Sequence, residues 1–311
     1  MDKPVIFQIA SFVIGLLFGS FLNVCISRVP RRESVVRPRS RCPECGHAVR
    51  WFDNIPLLSW ILLRGRCRDC RQPISWRYPL VELATGLWFA AVVSHCLSIA
   101  AINPTHLSAE WYAHLVLIGV GAATLGFLLI GLMVMDWQTN LLPNAFTISG
   151  ILIGFLLVCI HAVFLAPTED QVVLSNNHIQ LTSVGSVVDT GNVFLTGPEH
   201  LILGRIAAIC GAALLLLSIR WLYKALRHRD GMGLGDVKLL AMIAAFLGFW
   251  PSVFALFWGS LLASGYAVYL LLRGRATSTS RLPFGSFLAA GGLIAALYGS
   301  RVIDLYIGLF R

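Results

Sequence analysis

Two aspartates and four cysteines stand out in this 311-residue chain because their surroundings suit them to chemistry. Asp136 lies in Met135-Asp136-Trp137-Gln138-Thr139-Asn140-Leu141-Leu142-Pro143-Asn144, directly after a long apolar run. Asp236 follows Gly231-Met232-Gly233-Leu234-Gly235 and precedes Lys238 and another apolar run. Only five acidic residues, Glu82, Glu110, Asp136, Asp236 and Asp304, fall within or beside such runs, and an ionisable group at membrane depth costs enough to suggest a function. Two carboxylates held together away from bulk water do not both ionise easily, so one keeps a proton while the other remains a base, and the pair titrates as a unit. The ionised member can take a proton from water as it attacks a peptide carbonyl. The protonated member can then give its proton to the oxyanion or the leaving amine. Bare backbone at Gly233 and Gly235 would permit unusual backbone angles and admit an extended chain close to Asp236. A lone aspartate here is better read as a helix cap. Two on one membrane face leave both catalysis and an ion site in a transporter open.

The cysteines form two pairs, Cys42-Pro-Glu-Cys45 and Cys67-Arg-Asp-Cys70, separated by 21 residues. This C-x2-C repetition is a zinc pattern. Four thiolates complete a tetrahedron, leave no position for a reacting water and so point to a structural ion. Two disulfides or four free thiols are the competing readings, and His47 is a bystander when four sulfurs are present. The remaining cysteines, Cys25, Cys96, Cys159 and Cys210, sit singly inside apolar runs, where cysteine behaves as a small hydrophobe.

The elements that must position these residues are membrane helices. Hydrophobic residues make up 57% and charged residues 13% of the chain, about half the charge of a soluble domain. Eight apolar runs predict an all-α integral membrane protein with about eight transmembrane helices, near 4–27, 79–102, 112–135, 144–166, 201–224, 237–249, 252–272 and 283–308. The sixth is short for a bilayer core of about 30 Å. The first run lacks a cleavage site and reads as a retained helix. Residues 28–78 read as a small cytoplasmic zinc-ribbon-like domain, and 79–311 as a polytopic membrane domain with an external loop at 167–200 suited to a hairpin. Of 24 Lys and Arg, 20 lie in the segments Arg28 to Arg77, Arg220 to Lys238 and Arg273 to Arg281. The positive-inside rule places those segments, and with them both aspartates, at the cytoplasmic face. That distribution accounts for the net charge of +9 through topology and surrounding lipid, with no nucleic-acid partner.

Five segments in order resemble the prepilin peptidase (type IV leader peptidase) family. They are Phe18-Gly19-Ser20-Phe21-Leu22-Asn23-Val24, the cysteine pairs, Arg77-Tyr78-Pro79-Leu80-Val81-Glu82, Asp136 through Pro143, and Gly233-Leu234-Gly235-Asp236. The last matches the GxGD signature shared with presenilin-like proteases. The resemblance implies an aspartic endopeptidase of the bacterial inner membrane with Asp136 and Asp236 as its catalytic pair. It would remove the leader of type IV prepilins or type II secretion pseudopilins after Gly, then N-methylate the new terminus with S-adenosyl-L-methionine. No nucleotide-binding glycine motif supports the second activity independently. Gly19, Ser20, Asn23 and Glu82 are candidates for the amine or cofactor site, against helix packing for the small residues and a dipole role for Glu82. Lys238 either tunes Asp236 or snorkels to the interface. A transporter with a cytoplasmic zinc domain is the alternative of another class.

Overall fold

The computed structural model describes residues 3–102, 109–165, 171–175, 178–182, 198–227, 233–274 and 282–308. Apolar residues on every side make the first helix, α1 (Lys3–Arg28), a membrane element rather than an amphipathic surface helix. Two short 3-10 turns and a five-residue helix, α2 (Leu58–Leu62), follow in the cysteine segment. Five long or apolar helices come next: α3 (Arg77–Ile102), α4 (Ala109–Thr139), α5 (Asn144–Phe164), α6 (Pro198–Arg227) and α7 (Leu234–Leu247). The bundle closes with α8 (Phe249–Leu272) and α9 (Phe284–Gly308).

Six of these, α1, α3, α4, α5, α6 and α8, are long and apolar enough to cross a membrane. Of the eight spans expected, six are thus accounted for among the described residues; α7 has 14 residues, and the part of α9 over Phe284–Gly299 is a shorter apolar helix. The reason for α7 is local. Gly233 precedes it in an extended conformation, and Gly248 ends it at φ 91°, where a side chain would be strained. The Gly248 N–H closes on the Ala244 carbonyl at 2.9 Å, and Arg205 of α6 donates to the same carbonyl at 3.3 Å.

Helix α4 extends further than its apolar run suggests. It continues through Thr139, whose hydroxyl donates back to the Met135 carbonyl, and stops where Asn140 adopts φ 51°. Asp136 thus lies inside its last turn. A short turn ending at Pro143, which cannot extend α4 as a donor, starts α5.

Small residues set the helix spacing. A methyl at Gly15 would meet Gly86 of α3 at 2.8 Å, and one at Gly19 would meet the Glu82 Cα at 2.6 Å, so α1 and α3 touch backbone to backbone. The buried core runs through Leu22, Leu125, Leu129, Leu132, Met135, Leu239, Met242, Ile243 and Leu288, placing α4 and α7 at its centre. Between α5 and α6, β1 (Gln171–Ser175) pairs antiparallel with β2 (His178–Thr182), in register Gln171 with Thr182. This is the hairpin expected there; the rest of that loop lies outside the described residues.

Candidate active site

Asp136 and Asp236 come from different helices, α4 and α7, and both are buried, at 5% and 7% exposure. They lie close enough for the charge on one to act on the other. Each lies beside a helix N-terminus, where the first N–H groups have no intrahelical acceptor. Asp236 occupies the first turn of α7, with its Oδ2 beside Gly233. Asp136 is held from a third helix: its Oδ2 accepts the Ser286 backbone N–H at 2.7 Å and lies 3.0 Å from the Ser286 Oγ, at the start of α9. The Ser286 hydroxyl also lies 2.9 Å from the Met133 carbonyl. Its single proton serves one of these two acceptors at a time. Both Ser286 contacts to Asp136 fall on Oδ2 and neither on Oδ1.

Leu142 spaces the assembly. A methyl on Gly235 would fall 3.1 Å from its side chain, and one on Gly285 would fall 2.8 Å from it and 3.1 Å from the Asp136 carboxyl. Gly235 is helical and Gly233 has φ −76°, so neither needs the unusual backbone angles anticipated from the sequence. What Gly235 supplies is the room that Leu142 fills. Gly231 and Met232 lie outside the described residues. Neither carboxylate has an ion-pair partner among those described, where both ion pairs belong to the cysteine segment. Lys238 donates to Asn144 Oδ1 at 2.8 Å and is half-buried, which fits snorkelling. Beside the carboxyls, Trp137 is 51% exposed and packs on Tyr266 and Phe287, with ring centroids 5.4 and 6.1 Å away. The side chains of Glu110 and Asp304 lie outside the described residues.

The four cysteine sulfurs lie within 4.8 Å of one another, with Cys42 and Cys70 Sγ 3.8 Å apart. That separation is too long for a disulfide, at about 2.05 Å. It suits two sulfurs on a tetrahedral zinc, each about 2.3 Å from the ion and so about 3.8 Å from each other. The two pairs sit in matching loops. Cys42 N–H donates to the His47 carbonyl and Cys67 N–H to the Gln72 carbonyl, while Gly46 and Arg71 take φ 71° and 58° at equivalent turns. The Cys45 backbone N–H holds the Cys42 thiol down at about 7. Cys70 has the Gln72 N–H acting in the same sense, yet burial and the neighbouring sulfurs push it up to about 12. Four thiols so crowded do not all ionise without a cation, which is the requirement a metal meets.

Of the remaining candidates, Gly19 serves the close approach of α1 to α3. Glu82 is buried at 8% exposure, accepts the Leu57 N–H at 2.8 Å and interacts with the Ser20 side chain. Asn23, 2% exposed, donates to the Tyr78 carbonyl at 3.0 Å. Sequence reasoning missed Ser286, Gly285 and the positioning role of Leu142. The only available signal was the helix start at Pro283-Phe284-Gly285-Ser286.

Residues 13–96 match the bacterial peptidase A24 N-terminal domain, and residues 122–268 match the type IV leader peptidase family. The first range holds the cysteines and Glu82, the second both aspartates. A prepilin leader peptidase/N-methyltransferase of Stutzerimonas stutzeri is 31% identical over all of this chain and 97% of its own length. Another of that name from Burkholderia pseudomallei is 33% identical over 93% of this chain and 85% of its own. One from Myxococcus xanthus is 37% identical over 87% of this chain and 65% of its own. No solved structure matches the chain.

Proposed function

Because this chain belongs to the type IV leader peptidase family, we propose that it removes the leader from prepilin-like substrates with Asp136 and Asp236 as its catalytic pair. The observation that carries the assignment is two buried carboxyls from separate helices, brought together without a neutralising cation among the described residues. They hold one proton between them. The ionised one takes a proton from water as the water oxygen bonds to the scissile carbonyl, and the other protonates the leaving nitrogen. Ser286 fixes the Asp136 carboxyl through Oδ2 and directs Oδ1 to the reaction. The aromatic side chains of Trp137, Tyr266 and Phe287 offer a surface to the apolar part of the substrate. Type IV prepilins and type II secretion pseudopilins are the substrate class, cut after Gly.

The second activity is N-methylation, supported by the relatives' names. S-adenosyl-L-methionine supplies the methyl group when bound, and the buried acceptors of Asn23 and Glu82, with half-buried Ser20 beside Gly19, suit a cationic group. Residues 28–78 act as a zinc domain through Cys42, Cys45, Cys67 and Cys70, between a first helix at 1–27 and a membrane peptidase domain at 79–311. The ion is structural, because four sulfurs close its coordination. The positive-inside distribution supports an inner-membrane orientation with the site at the cytoplasmic face. None of the relatives named is a transporter, and that reading has no support.

The test compares wild type, Asp136→Asn and Asp236→Asn on a prepilin substrate, reading leader removal by mass spectrometry with and without S-adenosyl-L-methionine. Both variants should stay folded and fail to cut, and wild-type product should gain one methyl mass only with the cofactor. Normal cutting by either variant would remove that residue from the pair. Metal analysis of purified protein should find about one zinc per chain, lost in Cys67→Ser.

A further inference from the structure

A second buried polar cluster lies where α1, α3 and the cysteine segment meet. Glu82 accepts the Leu57 N–H at 2.8 Å and interacts with the Ser20 side chain, both uncharged groups, and has no cation partner among the described residues. Asn23 spends its Nδ2 on the Tyr78 carbonyl, while its Oδ1 is buried with no partner. Exchanging the oxygen and nitrogen of this amide would set oxygen against a carbonyl, so the orphan is an acceptor.

The two acceptors share one seam. Ser20 and Asn23 are three residues apart on α1, and Tyr78 and Glu82 four apart on α3, so each pair shares a helix face. Asn23 meets Tyr78 while Gly19 meets Glu82, which places Asn23 and Glu82 about one helical turn apart along the seam. The seam is also near the carboxyl pair in depth. Leu22 contacts Gly131 of α4, five residues before Asp136 and so about 7.5 Å from it along the helix axis.

A buried carboxylate and a buried orphan acceptor together call for a positively charged N–H donor. Water would serve Asn23 but leave the charge of Glu82 uncompensated. A sulfonium carries charge but no N–H. We propose that the Glu82–Asn23 seam binds a primary ammonium, the N-terminus that leader removal exposes, and that Glu82 takes one proton from it. The ammonium becomes a neutral amine with its lone pair free, the carboxylate becomes a carboxylic acid, and no redox partner is involved. This assignment rests on the peptidase reading above.

The experiment uses full-length Asp136→Asn protein in nanodiscs without S-adenosyl-L-methionine. Binding of a synthetic peptide with the mature N-terminal sequence is compared with that of its N-acetylated form. The free amine should bind more tightly, on the order of ten-fold, the size expected for a charge-assisted hydrogen bond. Glu82→Gln keeps the shape and an acceptor for Leu57 but loses the charge, and should erase the preference. A purely structural Glu82 would leave the preference unchanged in that variant, overturning the proposal. The preference should also fade in unmodified Glu82 protein as pH rises through about 8, where an α-amine loses its charge. A preference constant across that range would equally overturn it. Competition by S-adenosyl-L-methionine that Glu82→Gln abolishes would give the seam to the cofactor and sink the ammonium assignment. Cleavage by wild type that does not depend on Asp136 would instead refute the peptidase pair, a separate result from this binding preference.

Discussion

Replacing Gly285 with alanine should slow peptide cleavage without unfolding the protein. The added methyl would stand 3.1 Å from the Asp136 Cγ and Oδ2 and 2.8 Å from Leu142 Cδ1, where carbon contacts settle near 3.5–4.0 Å. Leu142 can relieve its part of the clash by rotating the end of its side chain. The carboxyl has less freedom, because Ser286 N–H and Oγ hold its Oδ2 at 2.7 and 3.0 Å. A displacement of about 0.4 Å follows. On a scale where 1 Å costs roughly 100-fold, that is a loss of about three- to ten-fold in kcat. Gly285 lies in the first turn of α9, so alanine gains up to about 1 kcal/mol of helix preference against about 1–3 kcal/mol of crowding. The thermal midpoint should therefore move little. The assay is kcat and KM for leader removal alongside that midpoint, repeated with Leu142→Ala added. The double variant should remain slow, because it relieves Leu142 and not the carboxyl. Wild-type kcat in Gly285→Ala, or complete recovery in the double variant, would refute the reasoning.

Ser286→Ala removes the hydroxyl and keeps the backbone N–H, so it should cost about 1 kcal/mol of positioning, or roughly five-fold in kcat with KM little changed; an unchanged kcat would show that the N–H alone suffices. In the cysteine segment Arg68 donates to both Asp53 oxygens, at 2.6–3.2 Å, and holds that carboxyl below the usual carboxylate range. A depressed acid stabilises the fold above its unfolded value of about 4, and that contribution is lost as pH falls through the lower folded value. Protease susceptibility of the Arg50–Arg71 region should therefore be higher in Asp53→Asn than in wild type at pH 7. The difference should close toward pH 3.

Much of this architecture was legible in the sequence because hydrocarbon imposes so few solutions. The helices α1, α3, α5 and α6 begin and end within a few residues of the apolar runs, since backbone groups in lipid must bond within their own helix. The cysteine spacing likewise reached the correct cluster, because two short loops bring four sulfurs together by local geometry. Asp136 was harder to place within its helix: Trp137-Gln138-Thr139 reads as polar loop yet completes the last turn of α4. Ser286 was not legible as a partner of Asp136, being 150 residues away. That bond depends on how α9 docks against α4, which no local pattern encodes. Gly19 and Gly235 show the same gap, since what they make room for, Glu82 and Leu142, is known only after the helices are assembled.

The shortness of α7 bears on the lipid as well as on the protein. Fourteen residues rise about 21 Å, against a hydrocarbon slab of about 30 Å, so this helix and the slab differ by about 9 Å. Tilting shortens the reach further and cannot close the gap. If Gly248, which leads at once into the 24-residue α8, sits at the far surface, the missing length falls beneath Asp236. There the bilayer must be locally thin or replaced by polar protein and water. Bilayer thickness then enters the geometry of the reaction centre itself.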